Sequence, residues 1–146
     1  MNWEEFTCFV EKVIKEDIPD PLLQELHMGI IVLPEEKLDK HEGDQYIMGE
    51  YISNEMGNHI VLYYGSFAAL FTGEDFSLWQ KEIRDTIKHE VWHHVEALSG
   101  DEQLAMQEML EEERKISRGK RLGSEPPSSK LLEIWKKLKE YFFNKG

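Results

Sequence analysis

The chain has 146 residues, 17 Lys and Arg against 29 Asp and Glu, and a net charge of −12. That length suits one domain with a sizeable core, and the negative balance argues against nucleic acid as a partner, because such binding needs a basic footprint. One cysteine, Cys8, leaves no disulfide framework and no cysteine metal cluster; no apolar run reaches membrane-spanning length, and the acidic N-terminus does not read as a signal peptide. The expectation is a soluble cytoplasmic protein of the α+β class.

In chain order, Trp3, Phe6, Val10 and Val13, joined by Phe9 and Ile14, mark an amphipathic helix ending before Pro19. Pro19 to Leu26 reads as a short second helix. Gly29 to Leu33 is a brief β-branched run, read as a buried strand. Pro34 to Asp44 is a charged loop. Gln45 to Ile52 and His59 to Tyr64 read as two strands, joined as a hairpin through the turn chemistry of Ser53 to Asn58. Ser66 to Phe71 is a short apolar helix or turn, and Thr72 to Asp75 a loop. Ser77 and Gln80 then form a capping box for a long helix. Its apolar positions are Leu78, Ile83, Ile87, Val91, Val95 and Leu98, and Gly100 is its C-cap. Asp101 is a good N-cap for a further acidic helix from Glu102 to about Ile116. Residues 118–130, rich in Gly, Ser, Pro and basic side chains, read as a linker. Leu131 to Phe143 is an amphipathic helix with Leu131, Trp135, Leu138 and Phe142 on one stripe. Such a stripe most often packs on the chain's own core; the alternatives are a partner protein or an anionic membrane surface. The domain plan is therefore 1–117, a linker 118–130 and a terminal helix 131–146.

The long helix carries His89-Glu90-Val91-Trp92-His93, an H-E-x-x-H box. With six His and 22 Glu, chance yields about 0.04 such boxes in a chain of this size. Residues four apart share a helix face, so His89 and His93 can present imidazoles to one ion while Glu90 polarises a bound water. A catalytic zinc wants a third protein ligand and an open position. Asp101 follows the Ser99-Gly100 break and can return a short carboxylate to the ion. Glu102 has a longer reach, and Glu96, seven residues after His89, would have to reach back along the axis. His94 points about 100° away from His93 around the helix and is read as a residue behind the ligands or at the surface.

These features together resemble a known family. From about Asn2 to Leu104, roughly 70% of the chain, the sequence is similar to the minimal zincin-like metallopeptidases, small proteins with a reduced zincin core. The resemblance is carried by the opening helix with Phe6 and Val10, by Ile60-Val61-Leu62-Tyr63-Tyr64-Gly65, by Ile87-Lys88-His89-Glu90-Val91-Trp92-His93-His94, and by Asp101-Glu102-Gln103-Leu104. It implies a small mixed sheet packed on helices, with the H-E-x-x-H helix as active-site helix; the C-terminal helical extension lies outside the family core. It further implies His89, His93 and Asp101 as zinc ligands and Glu90 as general base. Glu96 stands where the family usually has Gly, which lengthens the helix by about half a turn before Gly100. The expected function is a zinc metallopeptidase acting on a peptide or protein, and the His59 to Tyr64 strand could take up an extended substrate by β-addition. Tyr63 and Tyr64 read as strand packing rather than oxyanion donors. The rival reading is a non-catalytic metal-binding or interaction module; a metal-free scaffold is a third.

Overall fold

In the computed structural model the described residues are 1–41, 43, 45–55, 57–98 and 114–117. Helix α1 (Trp3–Asp17) starts where Asn2 and Glu5 cap each other reciprocally: the Asn2 Oδ1 accepts the Glu5 N–H at 2.8 Å, and the Glu5 carboxylate accepts the Asn2 N–H at 2.9 Å. This exchange satisfies two otherwise orphaned donors. Phe6, Phe9, Val10 and Val13 form its buried stripe. Ile18 turns extended ahead of Pro19, and α2 (Asp20–Gln24) follows as little more than one turn.

Strands β1 (Ile30–Leu33), β2 (Gln45–Asn54) and β3 (Gly57–Tyr63) come next, then α3 (Tyr64–Phe71), α4 (Phe76–Leu98) and β4 (Arg114–Ser117). The sheet is mixed, in the order β1-β3-β2-β4. β2 and β3 form an antiparallel hairpin closed at Asn54 and Gly57, and β1 lies parallel to β3 with Ile30 opposite Ile60. The helices and the inward residues Tyr46, Met48, Tyr51, Ile60 and Leu62 share one apolar core, in which Phe6, Phe67, Phe71 and Trp79 pack ring against ring. The Trp79 indole N–H donates to the Phe71 carbonyl at 2.9 Å, satisfying one of the carbonyls left open at the end of α3. Arg84 of α4 pairs with Glu16 and Asp17 and fixes the end of α1 against α4.

Two sequence expectations need correction here. The first backbone bonds of α4 run from Leu78 and Trp79 to the Asp75 carbonyl. The helix therefore begins at Phe76, two residues earlier than a Ser77 cap implies. Residues 114–117, expected to end an acidic helix at Ile116, form β4, with Tyr46 opposite Ile116 and Gln45 opposite Ser117. Four residues are too few for periodicity to decide between helix and strand. The open backbone edge of β2 decides, since its N–H and C=O groups need partners. The register slips between Ile47 and Gly49, a bulge at the point where α4 crosses the sheet. The long helix itself runs through Leu98, the extension expected from Glu96 standing in place of Gly.

Close backbone approach explains one motif glycine. Gly65, the second residue of α3, donates its N–H to the Glu35 carbonyl at 3.1 Å. A Cβ there would lie 2.3 Å from the Glu36 nitrogen and 2.5 Å from the Glu35 carbonyl carbon. Backbone atoms cannot rotate aside as a side chain can. Gly65→Ala is therefore expected to cost about 3 kcal/mol and lower the melting temperature by roughly 10 °C, measured by thermal unfolding.

Candidate metal site on helix α4

A 23-residue helix held across a sheet gives its faces different surroundings. Trp79, Ile83, Ile87 and Val91 are buried in the apolar core. Thr86 sits directly over Gly49 of β2, where an added Cβ would lie 2.9 Å from the threonine methyl, so helix and strand approach without an intervening side chain. The seat fixes the rotation of α4 and hence the aim of the residues that follow.

One turn on, the imidazoles of His89 and His93 converge. Their Nε2 atoms lie 3.1 Å apart, with ring planes at 87°. Two ligands at 2.0–2.1 Å from a tetrahedral zinc are separated by about 3.3 Å, so the pair is within a few tenths of an ångström of the spacing such an ion requires. The same approach also suits an N–H···N hydrogen bond when one ring carries a proton on Nε2. His93 is buried, whereas the His89 side chain is one-third exposed, so solvent reaches this pair from the His89 side. The Glu90 carboxyl is fully buried, with Oε1 3.9 Å from His89 Nε2.

His94 is not at the surface. It is fully buried on the sheet side, with Nδ1 2.8 Å from the Tyr51 hydroxyl of β2. Burial pushes the Tyr51 hydroxyl up to about 12, so it stays protonated and can donate. Burial also pulls the His94 imidazole below its ordinary value, against the Leu22 carbonyl and Glu25, which favour the charged form. A neutral ring accepting from Tyr51 at Nδ1 follows, and it ties α4 to β2 beside His93. Tyr51 was missed in the sequence, where it reads as one more apolar strand residue. Its only signal there is a hydroxyl on the core-facing side of the strand.

Asp101 and Glu102 lie outside the described residues, as does the side chain of Glu96. Among the described residues no group of three or more His, Cys, Asp and Glu side chains is placed to hold an ion. The two histidines on α4 supply two donors.

A family model described as zincin-like metallopeptidase matches residues 12–111. The chain belongs to this family. A solved structure of a conserved hypothetical protein from Thermus thermophilus is 33% identical, with a TM-score of 0.57 over 68% of this chain and 98% of that one. No curated protein matches. The α+β layout expected for the family, a small mixed sheet backed by helices with the H-E-x-x-H box on the longest, is the one observed. The match ends at residue 111, so the residues after it lie outside the zincin-like model. Among the described residues, no helix is long and apolar enough to cross a membrane.

Proposed function

We propose that this zincin-like protein is a soluble, cytoplasmic zinc-dependent peptidase in which His89 and His93 hold the ion, Asp101 completes the protein ligands, and Glu90 is the general base. The observation that carries the reading is the convergence of the two Nε2 atoms at 3.1 Å beside the Glu90 carboxyl. Imidazole nitrogens with a carboxylate suit zinc, and three protein ligands leave a position for water. When bound, zinc would lower the pKa of a water toward neutrality and polarise a carbonyl. Glu90 takes the proton of the attacking water at its carboxylate and hands it to the nitrogen of the leaving amine.

Substrate uptake along β3 does not agree with the fold. β3 is hydrogen-bonded to β1 on one side and β2 on the other along most of its length, so an added strand has no place there. The outer strands of the described sheet are β1 and β4, and α4 packs most extensively on β2 and also contacts β4. An extended peptide pairing its main chain with a strand is therefore proposed for the β4 side of the described sheet. Tyr63, expected to serve strand packing, donates to the Glu50 carboxylate at 3.0 Å, and Tyr64 donates to the Met1 carbonyl at 3.0 Å.

The purified protein is expected to hold one zinc per chain and to hydrolyse peptide substrates. Chelation should abolish hydrolysis, and stoichiometric zinc should restore it; hydrolysis that survives removal of the metal would contradict the reading. One observation favours the non-catalytic alternative: the Glu90 carboxyl is fully buried, whereas a base must meet water. X-ray absorption of the zinc-loaded protein separates the two, because three protein ligands plus an oxygen from water mark a catalytic centre and four protein ligands a structural one.

A further inference from the structure

The four-stranded sheet has two faces, and the described helices account for one. The buried apolar residues of α1 to α4 all join the cluster around Met48, Ile60 and Leu62. On the opposite face Ile47, Val61 and Tyr63 form a second cluster, edged by Leu33 and Ile52, with no helix residue in it. These three side chains nevertheless keep only 3%, 4% and 6% of their exposure. Lys37 covers one end, pairing with Glu50 and lying 5.4 Å over the Tyr63 ring. Val61 and Ile47 are left to be covered from elsewhere. On the same face His59 is 8% exposed, and its Nδ1 has no hydrogen-bond partner among the described residues.

We propose that residues 131–143 of the chain itself cover this face as a helix, setting Leu131, Trp135, Leu138 and Phe142 on Ile47, Val61 and Ile52. Three properties favour this occupant. Its apolar stripe recurs at helical spacing and needs burial. Its charge is complementary: residues 118–146 carry eight Lys or Arg against three Asp or Glu, whereas residues 1–117 carry nine against 26. Its tether is long enough, since residues 118–130 can span about 40 Å when extended, whereas four strands are only about 14 Å across. A 13-residue helix is about 20 Å long, close to the length of a seven-residue strand such as β3. The result is a three-layer arrangement in which the extension beyond the family match protects the back of the sheet. The inference is independent of the metal site.

The test uses the full chain with Cys8→Ser, which removes the only native thiol, and exposed Cys8 makes that change mild. Val61→Cys then places one small apolar thiol at the centre of the face. Its alkylation is expected to be on the order of a hundredfold slower in the native chain than in urea. Adding Trp135→Asp should accelerate it at least about tenfold while the far-ultraviolet dichroism stays native. If Trp135→Asp does not fold, Leu138→Asp and Trp135→Ala provide the same comparison. A thiol as reactive in the native chain as in urea would overturn the proposal. Protection unchanged by the stripe substitutions would overturn it too, because another segment would then be the cover. Protection that falls on dilution would assign the face to a second copy and likewise overturn it.

Discussion

Glu90→Gln is expected to leave zinc binding intact and reduce peptide hydrolysis by roughly 10²–10⁴-fold, the usual contribution of a positioned general base. The change is nearly isosteric, which matters for a fully buried side chain. Gln keeps the shape and the hydrogen-bonding oxygen but cannot accept a proton from water at neutral pH. Because Glu90 is not one of the proposed ligands, metal content should remain at one equivalent. Zinc analysis, thermal unfolding and turnover on one preparation separate the outcomes. Unchanged hydrolysis would remove Glu90 from the mechanism, and loss of zinc would make it a ligand instead.

His93→Ala should act on the metal itself. Structural zinc sites gain about 10–16 kcal/mol from four ligands, so one ligand is worth roughly 3 kcal/mol, and its loss should weaken zinc affinity at least about a hundredfold. The effect should be read by competition with a chelator of known affinity. His93 is buried and His89 is one-third exposed, so removing His93 also opens a cavity and is expected to lower stability more than His89→Ala. Asp101→Ala should match His93→Ala in affinity, whereas Glu96→Ala and Glu102→Ala should stay close to wild type. If Glu102→Ala reproduces the loss and Asp101→Ala does not, the third ligand moves by one residue and the two histidines keep their roles.

The long helix and its histidine pair were legible because both depend on local periodicity. An apolar stripe at 3.6 residues per turn predicts the helix, and a spacing of four predicts a shared face. The hairpin of β2 and β3 was legible for the same reason, although the turn proved shorter than expected, with the strands paired as far as Asn54 and Gly57. The start of α4 was misplaced because Ser77 and Gln80 satisfy the capping pattern, while the chain uses the Asp75 carbonyl two residues earlier. Cap patterns state which residues can close a helix; the loop that delivers the chain selects one of them.

β4 and the Tyr51–His94 contact are different in kind. Each pairs groups more than 40 positions apart in sequence, and no window of the chain contains both partners. Residues 114–117 become a strand because β2 offers an open edge. His94 is buried and neutral because α4 seats Thr86 on Gly49 and thereby turns the ring toward Tyr51.

By itself, the sequence determined the helix that carries His89, Glu90 and His93, the α+β class, and the chemistry those three side chains can perform, since all of these follow from residue type and short-range spacing. The tertiary structure alone decided that the two Nε2 atoms meet 3.1 Å apart, that Glu90 is enclosed, that β3 is interior and β4 lies outermost among the described strands, and that Gly65 must lack a side chain. The reason is physical: spacing along a helix limits which atoms can meet, but packing against distant strands sets the rotation, burial and solvent access that make them a site.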